Sequence, residues 1–206
     1  MPLQNRVLAT GEIIADPARG LFMGNRGILH DGNQRLTKAR WRHKAWIICE
    51  LAHKNWHRNV MSPGNYTELF FLDEAVALAA GHRPCKLCRR SAYEHFATAA
   101  QHAGPAAELD QCLHRERAIP RKFEQRRHAI DVREAPDGAI ILKHSPMLVL
   151  GDRLLPIHTG GYGPAERRPA SGNVILLTPP TTCRALANGY RPRLHPQALG
   201  TSTLTV

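Results

Sequence analysis

Cys85 and Cys88 are the two residues whose type and spacing most directly predict chemistry in this 206-residue chain. Two thiolates separated by two residues on a tight turn can bind the same ion, and that ion then holds the turn in place of a hydrophobic core. The spacing therefore predicts half of a zinc site. A redox-active pair has the same spacing, but it is expected where a strand leads into a helix, whereas this pair follows a predicted helix. An incidental pair is the remaining alternative.

The segment before the two cysteines is predicted to position them. Residues 67–80 combine four alanines with apolar side chains at helical spacing, which favours an amphipathic helix. Gly81 is predicted to end this helix, because glycine tolerates the left-handed backbone conformation found there, and Pro84 cannot continue the coil. The turn that follows, the predicted zinc knuckle, then presents both thiols.

This segment resembles a known zinc module. The residues that carry the resemblance are Phe71, Glu74, Ala75, the run AGHRPC at 80–85, and Cys88. They resemble the second half of the Ada-type metal-binding domain of bacterial methylphosphotriester repair proteins, which also occurs in shorter form beside nucleases. The resemblance covers at most residues 24–90. It implies a Cys/His zinc site with two ligands on an upstream hairpin, and DNA contact through a basic surface. The upstream Cys-x-x-x-Cys that carries the methyl-accepting thiol in that family is absent here, so methyl transfer is not implied.

The two remaining zinc ligands are expected upstream of the knuckle. Residues 45–51 form an apolar run that predicts a strand, and Cys49 in it is the one cysteine available there, so we expect it to be the third ligand. A small buried hydrophobic side chain is the alternative for Cys49. His30 is the first choice for the fourth ligand, because it lies between two turns and the nuclease-associated variants of the Ada-type module place a similar Gly-Asn turn shortly before a histidine. An exposed loop histidine is the alternative, and His53 is the second choice.

The charge of the chain predicts a polyanionic partner. The sequence contains 28 lysines and arginines against 17 aspartates and glutamates, a formal net charge of +11. Such a chain most often binds nucleic acid, while a ribosome-associated protein or a merely basic surface are the alternatives. The resemblance favours DNA over RNA, in a repair or processing context. The predicted nucleic-acid contacts are Arg40, Arg42, Lys44, Arg58, Arg89, Arg90, Arg121, Lys122, Arg126 and Arg127.

The sequence also predicts where the protein resides. No apolar stretch approaches the length needed to span a bilayer, and residues 1–16 lack the cationic start and apolar region of a signal peptide. Five cysteines, two of them in a C-x-x-C pair, fit reduced thiols and a metal better than a disulfide framework. We therefore expect a cytoplasmic protein without a membrane partner.

A catalytic function is the alternative to simple binding. Asp110 and His114 fall on one face of the helix predicted at 106–117, with Glu116 nearby. A carboxylate and a histidine so placed could act as base and orienting group in hydrolysis, although a solvated charged face is the commoner outcome. The glycine-rich loop at 158–163 adds His158 and Tyr162. The alternative function is therefore a nucleic-acid-processing hydrolase or nuclease.

The predicted fold class is α+β. We expect a small zinc-stabilised hairpin-helix-knuckle module at 1–100, a helical basic connector at 101–128, and a β-rich C-terminal region at 129–206 with a small antiparallel sheet. Within that sheet, the residues 136–138, Pro-Asp-Gly, predict a hairpin turn between strands at 129–132 and 139–142. Residues 185–192 repeat the pattern of 77–84 without the cysteines, which predicts a second helix stop and turn and no second metal site.

Overall fold

The structure, a computed structural model, describes residues 1–54 and 59–200. A six-stranded mixed sheet forms the N-terminal part. Its strands are β1 (Gln4–Val7), β2 (Ile13–Ala15), β3 (Phe22–Asn25), β4 (Ile47–Cys49), β5 (Leu69–Phe71) and β6 (Arg83–Pro84). They are ordered β2-β1-β5-β3-β4-β6, with parallel pairing of β1 with β5 and of β4 with β6. Phe22 on β3 is paired with Phe71 on β5, and both side chains are fully buried, so aromatic burial anchors the centre of this sheet.

A seven-stranded antiparallel sheet forms the C-terminal part. A two-stranded hairpin precedes it, consisting of β7 (Ala118–Ile119) and β8 (Glu124–Gln125). The strands of the sheet are β9 (His128–Asp131), β10 (Ile140–Leu142), β11 (Pro146–Leu150), β12 (Arg153–His158), β13 (Gly161–Tyr162), β14 (Glu166–Arg167) and β15 (Asn173–Leu176). Their order is β13-β12-β11-β10-β15-β9, and β14 also pairs with β12.

The predicted hairpin at 136–138 is wrong in its pairing. The turn itself forms, with Gly138 at φ +87°, but β15 lies between β9 and β10. A short 3₁₀ segment, Val132–Glu134, follows β9 and buries Val132 in the core. The chain therefore leaves the edge strand and enters the sheet again two positions further in, with β15 between the two strands, which a local turn signal cannot reveal.

The described residues contain four α-helices. They are α1 (Glu74–Ala79), α2 (Arg90–Ala99), α3 (Ala106–Arg117) and α4 (Pro180–Ala187). Helix α1 begins later than the predicted 67–80 helix, because residues 69–71 pair as β5 and Asp73 then caps the helix by accepting a hydrogen bond from the Val76 backbone N–H at 3.0 Å. The repeated pattern at 185–192 predicts that a helix ends there, but nothing in the sequence pattern predicts where α4 begins, because its first turn holds Pro180 and two threonines in place of an apolar repeat.

The predicted fold class is corrected by this architecture. We expected helices followed by one small sheet, whereas the described residues contain 15 strands in two large sheets and a hairpin, together with four α-helices. Many of the strands are only two to four residues long and pair with partners far away in the chain. Strands this short leave almost no period-two pattern in the sequence, so the β content was underestimated.

One buried apolar cluster contains side chains from all three predicted regions. Phe71 comes from the first region, Leu109 from the second and Val149 from the third, and all three are almost completely buried. The regions thus share a core, and the domain boundaries after residues 100 and 128 stay a prediction. In the part of the chain that the structure describes, no helix is both long and apolar enough to cross a lipid bilayer.

The repeated sequence pattern is confirmed as a repeated turn. After α1, the His82 backbone N–H donates to the Ala77 carbonyl at 3.0 Å, and after α4 the Tyr190 N–H donates to Ala185 at 2.9 Å. The glycine before each donor is left-handed, with φ +86° at position 81 and +98° at position 189. Both helices therefore end in the same glycine-terminated turn.

Candidate metal centre

Three cysteines meet beside the edge of the N-terminal sheet. The Sγ atoms of Cys49, Cys85 and Cys88 all lie within 4.8 Å of one another. Strands β4 and β6 are parallel neighbours in which Ile48 is paired with Pro84, so the next residue on each strand is a cysteine. The Cys85 backbone N–H also donates to the Ile48 carbonyl at 2.9 Å. The sheet register therefore brings together two thiols that are far apart in the sequence.

The predicted knuckle supplies the third thiol. Between β6 and α2 the chain turns so that the Leu87 backbone N–H lies 3.4 Å from Cys85 Sγ and the Arg89 N–H donates to the Cys85 carbonyl at 3.1 Å. This turn returns Cys88 to the other two sulfurs. Cys49 and Cys85 are buried and Cys88 is half-buried, so the cluster lies at the border of the core.

The protonation of the thiols shows why this cluster suits a cation. Hydrogen bonds from the thiols of Cys49 and Cys88, together with backbone N–H groups, lower the pKa of Cys85 far below its ordinary value. The same hydrogen bonds and burial raise the pKa of Cys49. Three thiolates at this separation repel one another, so a bound metal ion is the way for all three to ionise together. The cluster could therefore hold a metal ion.

The structure does not bring His30 to this cluster. Its Nδ1 lies 2.7 Å from the Thr67 hydroxyl and its Nε2 lies 3.3 Å from the Ser62 carbonyl, so both ring nitrogens have partners. A β-bridge between His30 and Leu36 holds the loop in this position. Within residues 1–54 and 59–200 the cluster consists of three cysteines, and neither His30 nor the second choice, His53, belongs to it.

A buried ion-pair network adjoins the metal centre. Arg89 donates to both carboxylate oxygens of Glu74, at 2.8 and 2.9 Å, and its Nε lies 3.2 Å from Glu50. Glu74 also accepts hydrogen bonds from the Tyr190 hydroxyl and from the Arg193 backbone N–H at 2.9 Å. Arg89 is therefore committed to structure and not available as a nucleic-acid contact, which corrects that prediction.

The predicted catalytic residues have separate structural partners. Asp110 is buried and accepts two hydrogen bonds from Arg83, at 2.9 and 2.8 Å, which fixes α3 to β6 beside the thiols. Glu116 accepts from the Thr181 N–H at 2.9 Å and from the Thr181 hydroxyl at 2.7 Å, which caps the start of α4. Neither carboxylate contacts His114 in these bonds, so the expected base and orienting group are not assembled.

His114 and the 158–163 loop likewise have structural partners. The His114 ring makes T-shaped contacts with Trp41 and Trp46, and burial together with the charges of Arg117 and Lys44 lowers its pKa to about 4. In the loop, the Tyr162 hydroxyl donates to Asp73 at 2.7 Å. The loop thus joins the start of α1, and the structure does not bring it to Asp110, His114 or Glu116.

Buried cations that the sequence did not reveal surround Trp46. The guanidinium groups of Arg26 and Arg117 lie 4.2 and 4.1 Å from the Trp46 ring, and both side chains are almost completely buried. Arg26 donates to the Ala80 carbonyl at 3.3 Å and Arg117 donates to the Gly81 carbonyl, so both bind the negative end of α1. The signal in the sequence is weak, because arginine is rarely fully buried.

Two of the predicted cationic segments are joined by an aromatic contact. The rings of Trp41 and Phe123 make a T-shaped contact with centroids 4.9 Å apart. This contact joins the exposed or half-buried predicted residues Arg40, Arg42 and Lys44 to Arg121, Lys122, Arg126 and Arg127. We call these seven residues the basic face. Arg90 is exposed but lies beside the metal centre, 3.6 Å from Glu94, and Arg58 lies outside the described residues.

No protein-family model, no curated protein and no solved structure matches this chain. The resemblance to the Ada-type domain therefore stays a prediction that depends on the residues around Gly81 and the three cysteines.

Proposed function

We propose that this protein is a zinc-stabilised nucleic-acid-binding protein whose interface is the basic face. The observation that carries the proposal is the contact between Trp41 and Phe123, which joins two cationic segments from distant parts of the chain. Sequence-independent affinity for nucleic acid comes from lysine and arginine side chains that neutralise phosphates. Seven such residues lie on the two segments that this contact joins, and together they would supply this affinity.

The electrostatics around the basic face support this function. Burial and the charge of Arg40 lower the pKa of Arg26 to about 9. Burial lowers the pKa of His43 as well, while Asp110 opposes this shift and Arg117 adds to it. Burial is the largest cause of both shifts, and the charge of Arg40 adds to it at Arg26, which places two cations close together there. A phosphate at the surface would relieve this repulsion.

Zinc is the metal that best fits the thiol cluster. Soft thiolate ligands favour Zn²⁺ among the common ions, and the C-x-x-C knuckle is typical of its structural sites. Sulfurs bound to a tetrahedral zinc at about 2.3 Å lie roughly 3.8 Å apart, which is compatible with the separations seen here. The resemblance to the Ada-type module supports the same assignment. Cys49, Cys85 and Cys88 would hold the ion, which would stabilise the edge of the N-terminal sheet.

We propose DNA as the partner, in a repair or processing context, and binding without turnover. The choice of DNA follows from the Ada-type resemblance. The proposal of binding alone follows from Asp110 and Glu116, whose carboxylates are engaged by Arg83 and Thr181.

The salt dependence of binding tests this function. Fluorescence anisotropy with a labelled DNA oligonucleotide should show affinity that falls steeply as salt rises. Replacing Arg121, Lys122, Arg126 and Arg127 together by alanine should reduce the slope of log K against log salt by about 0.7 to 0.9 for each phosphate that the variant no longer neutralises. The matched control replaces the exposed residues Arg153 and Arg167 on β12 and β14, which lie outside the basic face. An unchanged slope in the fourfold variant would place the interface elsewhere.

A further inference from the structure

A groove lies at one end of the basic face, between the turn at 10–12 and the hairpin of β7 and β8. It has a volume of about 470 Å³, and Arg40, Phe123 and Arg127 are among the residues that line it. Pockets of roughly 300 to 1,000 Å³ are the usual size for small organic groups. We call this feature the hairpin groove.

The backbone of the hairpin holds Phe123 in an unusual conformation. Arg121 has φ +68° and Phe123 has φ +57°, both in the left-handed region, which a bulky residue rarely adopts. Backbone strain of this kind persists where surrounding contacts enforce it, and it is concentrated at binding sites. Here the contact with Trp41 holds the Phe123 ring. The turn therefore presents an aromatic side chain in a defined place at the groove.

The hairpin groove is lined by both cationic and anionic side chains. Arg40 and Arg127 belong to the basic face, but the groove is also lined by Glu12 and Glu124. Their carboxylates would repel a phosphate placed in the groove. They would instead accept hydrogen bonds from the amino groups on the edge of a nucleobase. The lining thus favours a base inside the groove and the phosphates outside it.

Gln125 forms a fixed part of the wall behind this lining. Its amide group donates to the Ala79 carbonyl at 2.6 Å and to the Leu177 carbonyl at 3.0 Å, which determines its orientation. Its Oε1 is buried and accepts no hydrogen bond from the described residues. A Cβ atom at Gly11 would lie 2.2 Å from this oxygen, so glycine at that position is needed for the approach.

We propose that the hairpin groove binds one unpaired base of single-stranded nucleic acid. The inference rests on the proposed function and specifies its ligand. Phe123 stacks on the base, Glu12 and Glu124 accept hydrogen bonds from its amino group, and Arg40 and Arg127 contact the adjoining phosphates. Because the carboxylates are acceptors, bases with an exocyclic amino group bind better than thymine. A duplex keeps its bases paired and contacts only the cations of the basic face.

The test compares three labelled DNA ligands of equal length, oligo(dC), oligo(dT) and a duplex, by anisotropy at one salt concentration and one pH. The wild-type protein should bind oligo(dC) more tightly than oligo(dT). Phe123→Leu should weaken binding to oligo(dC) by roughly 5- to 150-fold, the loss expected for one base stacked on an aromatic ring. Its affinity for the duplex should fall less than its affinity for oligo(dC), because the duplex is affected only through the lost contact with Trp41. The double variant Glu12→Gln, Glu124→Gln should reduce the preference for oligo(dC).

The outcomes that contradict the base site differ from those that contradict the proposed function. Equal wild-type affinity for oligo(dC) and oligo(dT), or equal weakening of single-strand and duplex binding in Phe123→Leu, would overturn the base site while leaving the basic face intact. A wild-type protein without salt-dependent binding to any of the three ligands would refute the proposed function itself. The circular dichroism and metal content of Phe123→Leu are measured alongside. If that variant does not fold, the wild-type comparison of oligo(dC) with oligo(dT) decides.

Discussion

Arg89 donates two hydrogen bonds to the carboxylate of Glu74 in a buried, bidentate ion pair next to the thiol cluster. Arg89 directly follows the last cysteine of the knuckle and Glu74 begins α1. Their contact therefore fixes the knuckle to the helix that precedes it. Because Glu74 also binds the Tyr190 hydroxyl, the same carboxylate attaches the C-terminal turn.

We expect Glu74→Gln to lower the free energy of unfolding by about 3 kcal/mol, because among the described residues it leaves the buried Arg89 charge with Glu50 as its one ionic partner. Urea denaturation measures this change. The control is Glu94→Gln, whose partner Arg90 is exposed and 3.6 Å away, and it should cost less than about 0.5 kcal/mol. Equal effects of the two variants would contradict a structural role for the buried pair.

The metal assignment predicts different results for different cysteines. Purified wild-type protein should contain one zinc ion per chain, and Cys85→Ser or Cys49→Ser should abolish this content and lower the melting temperature. Cys112→Ser is the matched control, because Cys112 lies outside the cluster and its sulfur is near Glu116 and Thr181. Elemental analysis reports the metal. Stoichiometric zinc in Cys85→Ser would eliminate that residue as a ligand, and wild-type protein without a stoichiometric metal would refute the site.

The lowered pKa of His114 predicts a loss of stability in acid. The pKa of His114 is 6.5 in the unfolded chain and about 4 in the folded protein. Between these two pH values the unfolded state therefore binds more protons than the folded state. The free energy of unfolding falls as the pH falls through this range. The full difference corresponds to at most about 3 kcal/mol, and we expect about 1 kcal/mol because partial exposure screens the charge.

Urea denaturation of His114→Gln between about pH 7 and pH 4.5 checks this expectation. The variant should lose about 1 kcal/mol less than the wild type across that range. The same series on His144→Gln, at an exposed histidine, measures the background effect of removing an imidazole. An identical pH dependence in wild type and His114→Gln would show that another group causes the loss.

The repeated turn offers a matched pair of glycines. Gly81 and Gly189 both have left-handed φ, so alanine at either position should cost about 1–2 kcal/mol of conformational strain. At Gly81 a Cβ atom would also lie 2.4 Å from Cδ of Arg117, whereas at Gly189 it would meet nothing within 4 Å. We therefore expect Gly81→Ala to be the more destabilising by a further amount of about 1–3 kcal/mol, the usual cost of overpacking a core. Thermal unfolding of both variants measures the difference, and equal melting temperatures would contradict it.

Local signals in the sequence predict one part of the metal centre. The spacing of Cys85 and Cys88 and the helix stop at Gly81 are local, and the structure contains both. Cys49 was predicted from a strand, and β4 ends at that residue. The two turns around His30 do not reveal its position, because that position depends on a hydrogen bond with Thr67, which is 37 residues away in the chain. Ligand geometry across such a distance depends on sheet pairing, which short strands do not encode locally.

Side-chain partners from distant segments explain the other differences. The helical spacing of Asp110 and His114 is as expected within α3, but their roles are decided by Arg83 and Trp41, which come from other elements. In the same way, nothing local in the sequence indicates that Trp41 contacts Phe123. Composition predicted a strongly basic chain, whereas tertiary contacts determine which cations remain exposed.

The parallel pairing of β4 with β6 places a long crossover between Cys49 and Cys85. A parallel pair requires such a connection, and here β5 and α1 lie within it. Contacts between such distant positions form slowly, because loop closure precedes any gain in free energy. The rate of metal uptake by the refolding chain would therefore report when β4 and β6 pair. The colour of bound Co²⁺ would allow that rate to be measured.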